Sequence, residues 1–209
     1  MRLTVKEIVE KKKKGEKIVS LTAYDFSLAK LLDESGVDIL LVGDSVGMVC
    51  LGYESTLPVT MREMLHHTKA VSRAAKRGLV VADMPFGSFQ HSPEKAVRNA
   101  TRFLKEGGAD AVKLEGGSEE ILKTVESLRQ AGVPVMGHLG LTPQKATELG
   151  GYKLQGKTPE ESRKILGEAQ RLEKAGVFAV VLECLPWELA REISEKVTCP
   201  TIGIGAGPY

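Results

Sequence analysis

Seven short runs rich in Val, Ile and Leu recur along the chain, separated by longer stretches with helical spacing and punctuated by glycine. The runs lie at residues 18–24, 37–45, 79–85, 111–115, 133–139, 177–184 and 201–205. Most lack polar alternation, which is how strands buried on both faces of a parallel sheet read. The stretches between them carry helix start signals. Thr4 with Glu7, Thr60 with Glu63, and Thr158 with Glu161 have the spacing of capping boxes, and Pro159 stands at N1 of the last. Ser92-Pro93 and Thr142-Pro143 repeat the cap-then-proline device. Gly15, Gly36, Gly78, Gly107, Gly132 and Gly176 stand where helices should end in a left-handed residue. The 22 glycines are thus largely turns and helix ends.

Repeated β-then-α units build either an open doubly wound sheet or a closed (β/α)8 barrel. The doubly wound fold needs a phosphate loop after an early strand, and the segment from Gly43 to Gly47 is too short and too acidic for G-x-G-x-x-G. Even distribution of the runs favours the barrel, in one domain across residues 1–209 with no linker-like break. A barrel needs an eighth strand and typically about 250 residues. The expectation is therefore a C-terminally incomplete barrel, a truncated copy of a longer chain.

Charge excludes little but is informative: 29 Lys and Arg offset 27 Asp and Glu, giving +2, which calls for neither nucleic acid nor an anionic membrane. Lys11 to Lys14 form a basic cluster, but Glu7, Glu10 and Glu16 flank it, and it reads as the solvated C-terminal turn of the first helix. No apolar run approaches the roughly 20 residues of a membrane span. The charged N-terminus does not resemble a signal peptide, so the expected location is cytoplasmic. Cys50, Cys184 and Cys199 share no metal or redox spacing and read as packing residues.

Barrel chemistry sits at the C-terminal ends of the strands. The second run ends in Asp44-Ser45, the third contains Asp83, the fourth Lys113 and Glu115, the fifth His138 and the sixth Glu183. Any one of these could be an N-cap, a salt-bridge partner or a core histidine. Their convergence argues for a site, because charges in buried strands are costly unless paired or metal-bound. Three carboxylates without thiolates suit a hard cation, Mg2+ before Zn2+, with Asp44, Asp83 and Glu115 as candidate ligands directly or through water. Lys113 would meet a substrate carboxylate, and His138 and Glu183 are candidate acid/base groups. The chemistry read from residues alone is Mg2+-assisted enolate formation on a small oxyanionic substrate.

The motifs VGDSVGM at 42–48, GYESTLPVT at 52–60, ADMPFGS at 82–88, VKLEGG at 112–117, GHLGLTPQ at 137–144, LECLP at 182–186 and PTIGIGAG at 200–207 resemble those of the ketopantoate hydroxymethyltransferase family, in family order. The resemblance implies a (β/α)8 TIM barrel of the phosphoenolpyruvate/pyruvate superfamily, here lacking the eighth strand and the C-terminal helices. The implied activity moves a hydroxymethyl group from 5,10-methylenetetrahydrofolate to 3-methyl-2-oxobutanoate, giving 2-dehydropantoate and tetrahydrofolate. It implies Mg2+ on Asp44 and Asp83 with Glu115 completing the metal shell, and ketoacid at Asp44, Ser45, Asp83 and Lys113. Glu183 would be the catalytic base with His138 beside the substrate, in a decameric homo-oligomer. The loop at 150–156 could close over the ligands. The nearest alternative is a folate-independent Mg2+-dependent 2-oxoacid lyase or aldolase of the same superfamily. Others are a phosphate cradle formed by the glycines at 203–207 and a non-catalytic module with structural acids.

Overall fold

In a computed structural model that describes residues 1–145 and 151–209, every one of the seven runs contains a strand. Helix α1 (Val5–Lys13) precedes β1 (Ser20–Thr22), and α2 (Phe26–Glu34) leads to β2 (Ile39–Val42). The short α3 (Val46–Val49) and then α4 (Met61–Ala74) lead to β3 (Leu79–Asp83), and α5 (Pro93–Lys105) to β4 (Ala111–Lys113). After α6 (Glu119–Gln130) come β5 (Val135–Gly140), α7 (Pro159–Ala175), β6 (Ala179–Glu183), α8 (Trp187–Lys196) and β7 (Thr201–Ile204). All the strand pairs are parallel and follow chain order from β1 to β7 without reversal. A doubly wound sheet reverses its strand order at a switch point; a barrel does not. Among the described residues β1 pairs only with β2 and β7 only with β6, so the sheet is a nearly closed barrel with one seam.

The pleat sorts the strand residues into two apolar layers. Ile39, Leu79, Val81, Ala111, Met136, Ala179 and Val181 share one buried cluster, with Leu41 and Ile202 packed against it. Alternate residues of β2 to β7 therefore point into the barrel. Ile8 of α1 belongs to the same cluster beside residues at the N-terminal strand ends, so α1 plugs the bottom of the barrel. The intervening residues, Leu40, Val80, Val112 and Val180, pack outward against Phe103, Leu128, Leu172 and Ile193 of the helices. Continuing the inward alternation by two residues from Val81, Ala111, Met136 and Val181 gives Asp83, Lys113, His138 and Glu183. Chemistry is thus brought to the C-terminal mouth by register alone.

The three capping boxes at Thr4, Thr60 and Thr158 form as expected, and Ser92 accepts from Lys95 N–H. Two of the expected glycine terminators differ. Gly78 and Gly107 do not adopt positive φ, and Gly108 takes the left-handed conformation at 72° instead. Gly107 is glycine for space, because a Cβ there would lie 2.5 Å from Phe103 O. The basic cluster also departs from a simple solvated turn. Lys11 pairs with Asp38 at 3.0 Å, and Lys12 Nζ donates to Ser194 O, Val197 O and Cys199 O at 2.8–2.9 Å. The last turn of α1 lies against the C-terminal end of α8 and the segment that leads into β7, where carbonyls lack helical partners.

Asp33, near the end of α2, fastens the entry to β3 by accepting from Lys76, Arg77 and Gly78 N–H at 2.7–3.2 Å. Burial pushes its pKa up, but the three backbone donors outweigh that and hold it below 3.8. Its contribution is thus complete above about pH 4 and is lost as pH falls through the lower folded-state value. Asp33→Asn should cost about 2 kcal/mol at pH 7 in urea unfolding. The gap from wild type should narrow only below about pH 4.

Candidate active site

One cavity of about 510 Å3 opens at the C-terminal mouth, and Asp44, Ser45, Asp83, Lys113, Glu115, His138 and Glu183 all line it. Leu41, Met48, Val181 and Ile202 supply an apolar wall. The polar residues arrive by different routes. Asp83, Lys113, His138 and Glu183 lie on the inward phase of β3, β4, β5 and β6. Glu115 lies two residues past the end of β4, where Gly116 N–H still donates to His138 O at 2.9 Å. Asp44 is out of phase and follows the end of β2, its own N–H donating to Asp83 Oδ2 at 3.2 Å. Ser45 stands before α3 without capping it; its hydroxyl meets Tyr24 Oη at 2.8 Å.

Electrostatically the centre is one ammonium among three acids. Lys113 Nζ lies 2.5 Å from Asp83 Oδ1, and both side chains are buried. Burial works against the ammonium, but Asp83, Glu115 and Asp44 outweigh it and raise the Lys113 pKa. Burial, with Asp83 next in effect, pushes Asp44 up to about 7. Asp83 is also raised, by burial acting against the pull of Lys113. Glu115 goes the other way, because His138, Lys113 and the N–H of Gln144 overcome burial.

His138 sits between two carboxylates, with Nδ1 3.6 Å from Glu115 Oε1 and Nε2 3.2 Å from Glu183 Oε2. The Nε2 contact is short but poorly aligned for a hydrogen bond. Burial and Lys113 oppose protonation of the ring, yet the two glutamates raise its pKa. In the neutral ring, Lys113 Nζ at 3.3 Å can only donate, so Nδ1 accepts and the hydrogen on Nε2 faces Glu183. Glu183 is the most open of these acids, with its side chain 20% exposed.

The backbone around Glu183 is held unusually tightly. Cys184 has φ of 49°, a conformation non-glycine residues rarely adopt, and it turns the chain sharply after the carboxylate. Glu183 O accepts from Leu141 N–H at 2.9 Å. Gly140, at φ of 94°, makes this possible, because a Cβ there would overlap Glu183 O and press on Leu185. Gly140→Ala should lower unfolding stability by about 2 kcal/mol or more and displace Glu183, read as a fall in activity larger than the fall in melting temperature explains.

For a divalent cation the donor chemistry fits: Glu115 Oε1 is a buried oxygen without a hydrogen-bond partner, and Asp83 Oδ1 meets only the Lys113 ammonium. Among the described residues, however, no three acidic, histidine or cysteine side chains form a ready-made cage. Asp44 Oδ2 and Glu115 Oε2 are both engaged by Gln144, at 2.8 and 3.1 Å. Such an arrangement suits Mg2+, which binds through one or two carboxylates and keeps water or substrate oxygens for the rest. Gln144 itself, though within one of the motifs, carries no charge signal and was not among the residues expected in the site. Of the loop at 150–156, Gly150 lies outside the described residues. Tyr152 reaches across the mouth to Met48 Sδ at 3.4 Å, and Gln155 N–H donates to Cys184 O at 2.9 Å. No helix among the described residues is long and apolar enough to cross a membrane.

The fold is similar to that of phosphonopyruvate hydrolase, with a TM-score of 0.73 at 14% identity over 97% of this chain and 72% of that one. It is also similar to 2,3-dimethylmalate lyase, a PEP mutase/isocitrate lyase superfamily member, at 0.63 and 13% over 93% and 68%. At such low identity these likenesses speak for the barrel alone. Sequence relatives are far nearer. The 3-methyl-2-oxobutanoate hydroxymethyltransferase of Thermoanaerobacter sp. (strain X514) is 62% identical over 95% of this chain and 72% of its own length. That of Trichodesmium erythraeum (strain IMS101) is 57% identical over 100% and 80%. That of Ignicoccus hospitalis is 58% identical over 100% and 78%. With the family's sequence pattern matched from residue 2 to residue 209, the chain belongs to the ketopantoate hydroxymethyltransferases.

Proposed function

We propose that this chain, as one barrel domain over residues 1–209, transfers a hydroxymethyl group from 5,10-methylenetetrahydrofolate to 3-methyl-2-oxobutanoate, consuming one water and yielding 2-dehydropantoate and tetrahydrofolate. The observation that carries the reading is the buried Lys113 ammonium beside Asp83, with His138 in contact with it and Glu183 behind that ring, all lining one cavity with Asp44. Lys113, held charged by its three acids, neutralises the carboxylate of the ketoacid. Ser45, steadied by Tyr24, offers a hydroxyl to the same group. The branched carbon of the ketoacid suits the apolar wall of Leu41, Val181 and Ile202. Asp44 and Asp83, with Glu115 directly or through water, would hold Mg2+, which when bound polarises the keto group and acidifies the neighbouring carbon.

Glu183 takes the single proton on C3, and His138 Nε2 steadies the carboxylate that does so. Water releases the one-carbon unit from the folate at the oxidation level of formaldehyde, with tetrahydrofolate as the leaving group. The carbanion equivalent attacks that carbon, and the water-derived oxygen becomes the hydroxyl by taking up the proton held on Glu183. The exposed apolar side chains Val49, Leu51, Leu57 and Phe86 support a homo-oligomer, the decamer being the form the family resemblance implies, and a cytoplasmic biosynthetic setting is part of the same reading.

The folded chain incubated with Mg2+, ketoacid and methylenetetrahydrofolate should form 2-dehydropantoate and tetrahydrofolate in equal amounts. Consumption of ketoacid at the same rate without folate would overturn this in favour of the lyase or aldolase reading.

A further inference from the structure

Two glutamines connect the surface to the acids of the site, and the connection has a direction. The backbone N–H of Gly87 can only donate, and it donates to Gln90 Oε1 at 2.8 Å. This leaves Gln90 Nε2 as the donor to Gln144 Oε1, at 2.9 Å. Gln144 must then turn its Nε2 inward, where it donates to Asp44 Oδ2 at 2.8 Å and to Met84 O at 2.9 Å. Its backbone N–H donates to Glu115 Oε2 at 3.1 Å. One buried residue thus ties together Asp44 and the carbonyl of Met84, through its side chain, and Glu115, through its backbone. A carboxamide is nearly symmetric in shape, so nothing in packing alone fixes which end faces Asp44. The reversed amide would place its oxygen against Met84 O, a backbone acceptor with no proton to share, and would lose the N–H donated to Asp44 Oδ2.

We propose that Gln90 and Gln144 form a one-way hydrogen-bond relay that aims the Gln144 carboxamide N–H at Asp44, making Gln144 a positioning residue for the cation and ketoacid. The cation and ketoacid part rests on the proposed function; the relay itself does not. Asp44 Oδ2 is occupied by the relay, which holds the carboxylate in one rotamer and leaves Oδ1 as its uncommitted oxygen. Gln90 is exposed and is not among the residues lining the cavity, so it acts only through Gln144.

The test uses the full chain and three variants, Gln144→Met, Gln90→Met and Gln90→Glu. The last keeps the acceptor for Gly87 N–H but cannot donate to Gln144. Mg2+ binding in the presence of 3-methyl-2-oxobutanoate is read by calorimetry, and exchange of the Gln144 side-chain amide by NMR. Gln144→Met should weaken cation binding by about 10- to 100-fold, the usual effect of removing a partner that orients a ligand. Both Gln90 variants should weaken it in the same direction by a smaller factor, with unchanged melting temperature, and should add nothing in the Gln144→Met background. The slowly exchanging Gln144 amide of the wild type should become fast in both Gln90 variants.

A Gln144 amide that exchanges freely in the wild type, or Gln90 variants whose amide stays slow, would overturn the relay. Undiminished cation binding in Gln144→Met would overturn the positioning role. A wild type with a protected Gln144 amide that binds neither cation nor ketoacid would sink the proposed function and the positioning role with it, leaving only the relay.

Discussion

Glu183→Gln should slow exchange of the C3 proton of 3-methyl-2-oxobutanoate by about 10²- to 10⁴-fold, the range that a positioned general base supplies. Ketoacid affinity should change by no more than about twofold, because the lost interaction belongs to proton transfer rather than to binding. The geometry singles this carboxylate out. Asp83 is paired with Lys113, while Asp44 and Glu115 are engaged by Gln144. Glu183 alone faces the cavity with a partly exposed side chain and a histidine N–H behind it. Glutamine keeps the size of the side chain and an acceptor for His138 but has no basic oxygen. Exchange measured by NMR and binding by calorimetry separate the two effects; wild-type exchange in the variant would remove Glu183 from the role.

Lys113→Met should be the most destabilising single change in the site. It leaves Asp83, Asp44 and Glu115 buried without their cation, and breaking a buried ion pair from one side costs about 3–5 kcal/mol. The loss should depend on pH in a defined sense. Carboxylates whose folded-state pKa lies above the unfolded value destabilise the fold increasingly as pH rises from the unfolded value through the folded one. Asp44 already stands near 7 with Lys113 present, and without the ammonium it and Asp83 move further up. The stability gap from wild type should therefore be larger at pH 8 than at pH 5 in urea unfolding. A gap independent of pH would mean that the acids are not electrostatically coupled to Lys113. Saturating Mg2+ should recover part of the loss at pH 8 by restoring positive charge.

Much of this was legible in the sequence because period-2 alternation fixes where a strand's last inward residue falls. Asp83, Lys113, His138 and Glu183 are readable from their spacing to Val81, Ala111, Met136 and Val181. Helix starts were equally plain, since a capping box is satisfied within four residues. What stayed hidden depends on distant partners. Asp44 was readable from its place at the end of the second run, but not what holds it, the carboxylate of Asp83, 39 positions away. Gln144 has no charge to draw attention, and its contact with Asp44 spans 100 positions. The separate roles of Gly107 and Gly108 were likewise invisible, because one answers to packing against Phe103 and the other to backbone conformation. The lysines of α1 looked solvated because nothing local shows that the helix lies under the barrel.

The central claim is that this mouth removes a proton from C3 of a branched 2-oxoacid. The direct measurement is proton NMR of 3-methyl-2-oxobutanoate in D2O with the folded chain, with and without Mg2+, before any folate is added. The account predicts Mg2+-dependent loss of the C3 signal, followed by 2-dehydropantoate once methylenetetrahydrofolate is supplied. A C3 signal that persists over a folded, Mg2+-saturated protein would contradict it.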